Sequence, residues 1–216
     1  MTSSALQKYL DQLQGLQEVS HESARRIVDD DSLFVCHTNL FVKSYLVTLC
    51  SILESYLKEE ILAFVEDVAQ VVDDLSLTRN IVVWGLDPCN NELYEKQVGN
   101  NITTLKLNIA EDDVDERISG NVDRTIKTFR RCGIDITQCS EFANVKATVA
   151  TIVLKRNSVV HHSIQSIDFT YNDIVEWASK VKTYIMGIST YVNSERQKNT
   201  NRLQAIMVAQ GNTGGM

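Results

Sequence analysis

The chain has 216 residues, 44% of them hydrophobic and 23% charged, which is the composition of a folded protein with a sizeable core. Its length suits one domain, and a single proline with nine glycines favours helices over the frequent turns of an all-β fold. The formal net charge of −7 excludes a broad basic field, so any nucleic-acid site must be a local patch.

Cysteine usage and the N-terminal sequence indicate a soluble, cytoplasmic protein. The five cysteines are an odd number and contain no C-x-x-C pair, which is typical of reduced thiols rather than of a disulfide framework. No cationic segment precedes an apolar run at the N-terminus, and no uninterrupted apolar run approaches about 18 residues. We therefore expect no membrane partner.

Apolar periodicity predicts two long helices in the first part of the chain. The first runs from Ser3 to about Ile27, and acidic residues at positions 29–31 end it. A second begins at Thr38 and continues through Phe64 with a stronger apolar stripe. The pattern weakens between residues 73 and 115, where we predict an irregular middle segment.

Helical signals return in the second half. A short helix ends in Arg130, Arg131 and Gly133, where cations in the last turn precede a glycine suited to a left-handed cap. The next helix begins near Ser140, and the last runs from about Tyr171 to residue 196 with Thr170 as its cap. The sequence thus predicts an all-α antiparallel bundle in one domain, residues 1–198, followed by a loose polar tail, residues 199–216.

Several classes of enzyme lack their motifs in this chain. Neither glycine-rich phosphate loop occurs, and the H-E-x-x-H helix and the G-x-S-x-G elbow are missing. Cys36 and His37 are the one adjacent pair of soft metal ligands, and zinc needs two more. We expect no metal and no cofactor, with Cys36 as a small core residue.

The segment from Arg156 to His162 is the strongest candidate site. It reads RNSVVHH and lies where an apolar helix ends and a polar loop begins, which places functional groups on a rigid support. At 100° per residue, Arg156 and His161 are about 140° apart on the helix, whereas Asn157 and His161 share a face. Asn157 can therefore orient the imidazole, and Arg156 borders the same cleft.

These residue types suit RNA cleavage without a metal. A histidine exchanges protons near neutral pH, and the planar guanidinium of an arginine holds charged phosphoryl oxygens. The structural alternative is that Arg156 pairs with an acid and that the histidines only cap the end of a helix.

Three features resemble the HEPN superfamily, in particular its RiboL-PSP-like branch of prokaryotic ribonucleases. RNSVVH fits the R-(polar)-x-x-x-H signature of that superfamily, and residues 40–61 resemble its buried helix with a glutamate, here Glu54. The third feature is the order of the helices, and the likeness spans Leu33 to Asn193.

The resemblance implies a metal-independent endoribonuclease whose two subunits join their motifs across one cleft. His161 would then be the general acid and base, Arg156 would stabilise the scissile phosphate, and Asn157 would position it. Glu54 would orient Arg156 or His161 or assist proton transfer, or would merely neutralise Arg156. His162 and Ser51 are possible accessory residues.

RNA would be held by a local basic patch, for which one set of residues is predicted: Lys155, Arg124, Lys127, Arg130 and Arg131. The alternative for residues 124–131 is a solvated helix face that ends in cations. Some HEPN proteins carry a modified tyrosine three positions after the histidine, where this chain has Ile164.

The resemblance also implies a biological setting, namely toxin–antitoxin or antiviral defence, with a cognate antitoxin or a defence-complex subunit as partner. A non-catalytic helical adaptor in a larger defence assembly is the alternative function.

Overall fold

The described residues include four long helices and two short ones. The computed structural model describes residues 4–77, 79, 82, 86, 104–107, 109–162 and 168–211. The helices are α1 (Ser4–Val28), α2 (Ser32–Asp74), α3 (Glu111–Asp115), α4 (Val122–Arg131), α5 (Ser140–His162) and α6 (Tyr171–Gly211). A 3-10 turn, Ile136–Gln138, precedes α5. The described residues contain no strand, which confirms the predicted all-α fold.

The long helices alternate in direction. Along α1 and α2, Tyr9 packs edge to face on Tyr56 and Ser23 bonds to Tyr45, so these two helices are antiparallel. Helix α6 runs parallel to α2, because Tyr171 packs on Tyr45 and, further along both helices, Tyr56 donates to the carbonyl of Ile185. It runs antiparallel to α5, because Phe142 packs on Tyr184 while Lys155 lies over Phe169, just before the start of α6. The C-terminal end of α5 therefore lies at the same end of the bundle as the start of α6.

Apolar side chains from all four long helices form one core. Each fully buried large aliphatic or aromatic side chain contributes about 1.5–3 kcal/mol by leaving water. Among the fully buried residues are Leu13 of α1, Leu46, Leu53 and Leu57 of α2, Phe142 of α5 and Tyr184 and Ile185 of α6. Gly187 permits close contact between α6 and α5, because a Cβ there would lie 2.8 Å from Cβ of Glu141.

Helix α2 begins earlier than the sequence predicted. Asp31 caps it by accepting a hydrogen bond from the backbone N–H of Leu33 at 3.0 Å, so the first turn starts at Ser32. His37 departs from helical geometry (φ −116°, ψ 19°), which places a kink directly before the predicted start at Thr38. Cys36 lies in this first segment and is exposed, so its predicted place in the core is wrong.

Helix α6 continues well past the predicted end at residue 196. It reaches Gly211, because the sequence has neither proline nor glycine between Gly187 and that residue. The start of the predicted loose tail is therefore helical, while the division of the chain at residue 198 stays a prediction. Most of the predicted irregular middle segment lies outside the described residues.

Among the described helices, α2 is long and apolar enough to cross a membrane by those two criteria alone. In α2 an 18-residue window has a mean hydropathy of 1.4, and 22% of that window is buried. Helix α2 also carries core residues of the bundle such as Leu57 and Ile61, as a core helix of a globular domain does. The cytoplasmic location stays a prediction.

Candidate active site

Helix α5 carries the R-x-x-x-x-H segment out of the core. Val149, Ile152 and Val153 are buried on its inner face, whereas Arg156 is half-buried and His161 is exposed in the last turn. The predicted position of the segment at a helix end is thus confirmed, since α5 ends at His162. A well-packed helix supports these polar side chains at the surface.

Arg156 has an amide rather than an acid as its hydrogen-bond partner. Its Nη1 donates to Oδ1 of Asn157 at 3.1 Å, and its Nε is buried without a partner. No carboxylate of the described residues lies within ion-pair distance of this guanidinium. The structural alternative, in which Arg156 pairs with an acid, therefore finds no support in the described part of the chain.

Cys50 of α2 reports the charges around Arg156. Burial raises the pKa of its thiol to about 12, with the carboxylate of Glu54 adding to the shift and the guanidinium of Arg156 opposing it. The charges of Glu54 on α2 and of Arg156 on α5 therefore both act on the thiol of Cys50.

Glu54 points to a backbone amide that sequence reasoning did not identify. Its Oε1 accepts a hydrogen bond from the N–H of Gly120 at 3.0 Å, across 66 positions of sequence. The roles predicted for Glu54 toward Arg156 or His161 stay predictions, because its one described bond is to Gly120.

The remaining predicted site residues are less closely joined. Asn157 uses its oxygen for Arg156, and its bond to the imidazole of His161 stays a prediction. Ser51 is exposed on α2. The side chain of His162 and residue Ile164 lie outside the described part of the chain.

The described residues match one known family. The RiboL-PSP-HEPN profile matches residues 4–194. The chain belongs to the RiboL-PSP-HEPN family. No curated protein and no solved structure gives a significant match. Membership confirms the resemblance found in the sequence and indicates a nuclease-like or RNA-related module.

In this RiboL-PSP-HEPN chain the five predicted RNA-binding residues differ in their partners. Lys155 Nζ lies 2.6 Å from Oδ2 of Asp168, and Arg130 Nη2 lies 3.3 Å from Oδ1 of Asp135. Arg131 lines a groove of about 670 Å³ that is also lined by Phe64 and Val68 of α2, about four to five helical turns from Cys50.

Three of these five cations have no acidic partner among the described residues, namely Arg124, Lys127 and Arg131, all exposed on α4. They are therefore the most available for phosphates, although RNA binding by any of the five stays a prediction. No group of three histidine, cysteine, aspartate or glutamate side chains within the described ranges is arranged to hold a metal ion.

A second charged cluster was missed by sequence reasoning. Arg196 of α6 lies 3.6 Å from Glu60 and 2.9 Å from Asp67, both on α2. The signal was present, because Glu60 falls within the apolar stripe that includes Leu57 and Ile61, and a carboxylate at a core position requires a partner.

Proposed function

We propose that this RiboL-PSP-HEPN chain is a metal-independent endoribonuclease of a toxin–antitoxin or antiviral defence system. One observation carries the proposal: the guanidinium of Arg156 is held by an amide, without a neutralising acid among the described residues, five positions before an exposed histidine. A guanidinium in this state suits an anion from outside the protein, and a phosphate is the anion that its planar fork fits best.

The reaction uses the RNA's own nucleophile. His161 takes the proton from a 2′-hydroxyl, whose oxygen then bonds to the adjacent phosphorus while the bond from phosphorus to the 5′-oxygen breaks. A histidine imidazolium returns a proton to the departing 5′-oxygen. Arg156 stabilises the charge that develops on the phosphoryl oxygens, and Asn157 holds the guanidinium in position.

A second copy of the chain completes the cleft in this proposal. Arg156 and His161 are about 140° apart on α5, so one helix presents them to different sides. An uncharged stripe leads along α5 to His161 at the spacings of a helix-packing face: Ala143, Ala147, Thr151, Leu154 and Ser158. Leu154 is 64% exposed, which supports a second α5 as its partner.

Mass and subunit mixing test the dimer. Light scattering at micromolar concentration is expected to give about twice 24.3 kDa. Mixtures of Arg156→Ala and His161→Ala subunits are expected to recover intermediate activity, because some mixed clefts hold one intact copy of each residue. A monomer that keeps full ribonuclease activity on dilution contradicts the shared cleft.

Cleavage in the presence of a chelator tests the function itself. Purified wild-type protein in EDTA is expected to cut total RNA and to leave DNA intact, since DNA lacks the 2′-hydroxyl. His161→Ala is expected to lose about 10²–10⁴-fold in rate while it remains folded. Wild-type protein that binds RNA without cutting it would instead identify the non-catalytic module.

A further inference from the structure

The junction between α3 and α4 is fastened to the site helix α2 by two polar contacts. Glu54 accepts from Gly120 N–H at 3.0 Å, and one turn further along α2, Lys58 Nζ lies 2.8 Å from Oδ1 of Asp115. Both contacts lie on one face of α2, because residues four apart share a face. The segment from Asp115 to Gly120 is therefore held along the helix that carries Cys50 and Glu54.

Gly120 fits this position closely. It is buried, and a Cβ added there would lie 3.2 Å from Cγ2 of Val153 and 3.4 Å from Oε1 of Glu54. The backbone thus approaches both α2 and α5, three residues before Arg156 on the latter. The N–H of Gly120 is directed at a carboxylate, and hydrogen bonds to charged acceptors are among the stronger ones in proteins.

The basic helix α4 starts directly after this junction. Asn121 caps it by accepting from the N–H of Arg124 at 3.0 Å, so the position of Gly120 fixes the first turn of the helix. Arg124 and Lys127 follow at spacings of one turn, exposed and without an acidic partner among the described residues. Any shift of Gly120 moves these two cations relative to Arg156.

We propose that Glu54 is a positioning residue that holds Gly120 and so fixes the first turn of α4 beside α5, from where Arg124 and Lys127 bind the RNA phosphates flanking the scissile one. This inference rests on the proposed function, because it names how the substrate of that same site is held. Bound to Gly120, the carboxylate also leaves the guanidinium of Arg156 open to the substrate.

The proposal predicts an effect opposite to that of charge alone. Removal of a carboxylate near a phosphate site normally strengthens RNA binding, since like charges repel. If Glu54 acts through Gly120, Glu54→Ala instead weakens binding of a 12-nucleotide 2′-O-methyl RNA, which cannot be cut, by about tenfold, the effect of one lost hydrogen bond to a charged group. Glu54→Gln keeps an oxygen that accepts from Gly120 and binds at least as tightly as wild type.

A matched control variant and a double-mutant cycle test whether the effect of Glu54→Ala acts through α4. Glu66→Ala removes an exposed glutamate from the same helix and is expected to bind the RNA at least as tightly as wild type. Arg124→Ala is expected to weaken binding in the wild-type background and to have little effect in Glu54→Ala, because coupled residues are not additive. Equal effects of Arg124→Ala in both backgrounds overturn the proposal.

Hydrogen exchange tests the bond between Glu54 and Gly120 in the protein without RNA. Amides of the peptide spanning residues 117–124 are expected to exchange about tenfold faster in Glu54→Ala and at the wild-type rate in Glu54→Gln. Unchanged exchange in Glu54→Ala would contradict the proposal that Glu54 holds Gly120 in place. Should Glu54→Ala fail to fold, Glu54→Asp, whose shorter carboxylate falls short of Gly120, is expected to show the same changes.

Failure of the proposed function and failure of this inference give different experimental results. Wild-type protein that cuts no RNA refutes the ribonuclease, while the exchange measurement and the uncleavable RNA still decide the role of Glu54. A wild-type protein that binds no RNA overturns the inference itself.

Discussion

Helix α2 lies beside an arginine at two places, and the two arginines differ in their partners. Near one end of the bundle, Arg196 of α6 lies between two carboxylates, 2.9 Å from Asp67 and 3.6 Å from Glu60. Near the other, the charges of Arg156 on α5 and Glu54 on α2 both act on the thiol of Cys50, yet the hydrogen-bond partner of Arg156 is the amide of Asn157. Glu54 instead accepts from a backbone N–H.

The difference distinguishes a structural arginine from one that is available to a ligand. Glu60 has a side chain that is 2% exposed, and a buried carboxylate persists only beside a counter-charge, which Arg196 supplies. Arg156 has its Nε buried without a partner and has no counter-charge among the described residues. An incoming phosphate can supply what this arginine lacks.

The largest expected effect is on catalysis. Arg156→Ala is expected to lower RNA cleavage by about 10²–10³-fold, because in the proposed mechanism it removes the group that stabilises the phosphoryl charge. Arg196→Ala, measured per folded molecule, is expected to stay within about threefold of wild type, since Arg196 lies away from the motif. Initial rates on one labelled RNA compare the two, and equal losses contradict the distinction.

Stability is expected to show the reverse order. Arg196→Ala leaves Glu60 as a buried charge without a counter-charge and is expected to lower the free energy of unfolding by about 2–3 kcal/mol. Arg156→Ala breaks one hydrogen bond to an amide and is expected to cost about 1 kcal/mol or less. Urea unfolding of both variants measures this, and a larger loss for Arg156→Ala would show that Arg156 is the structural residue.

A smaller effect is expected from the pH dependence of stability. Burial raises the pKa of the Glu60 carboxyl above its ordinary value of 4.5, with Arg196 opposing the shift. The folded protein therefore holds this proton more tightly than the unfolded chain, so Glu60 lowers stability as pH rises from 4.5 through the raised pKa. Glu60→Gln does not titrate, and its urea unfolding between pH 4.5 and pH 8 is expected to lack that decrease.

Much of the fold could be predicted because it depends on local signals. The apolar period located α1, α5 and the core of α2, and Thr170 with Asp173 forms the predicted start of α6 through bonds of 2.7 Å. The start of α2 was misplaced because residues 32–37, up to the kink at His37, are mostly exposed and lie outside the buried apolar stripe. Residues 193–202 of α6 are polar and have no apolar period, so the continuation of the helix could be inferred only from the lack of proline and glycine up to Gly211.

The position of the candidate site at a helix end could be predicted from sequence, but the hydrogen-bond partners of its residues could not. Residue types and spacing placed Arg156 and His161 at a helix end, as observed. Whether Glu54 meets Arg156 or Gly120 depends on ångström distances between α2, α5 and a junction 66 positions away. No local pattern carries that information, and the same holds for Arg196 and its two carboxylates.

The chemistry of the cut ends tests the ribonuclease account most directly. RNA fragments made by the purified protein in EDTA are expected to carry 2′,3′-cyclic phosphates and 5′-hydroxyls, because the 2′-oxygen displaces the 5′-oxygen. The same fragments are expected to be absent with His161→Ala. Fragments with 5′-phosphates and 3′-hydroxyls, or equal cleavage by His161→Ala, would contradict the account.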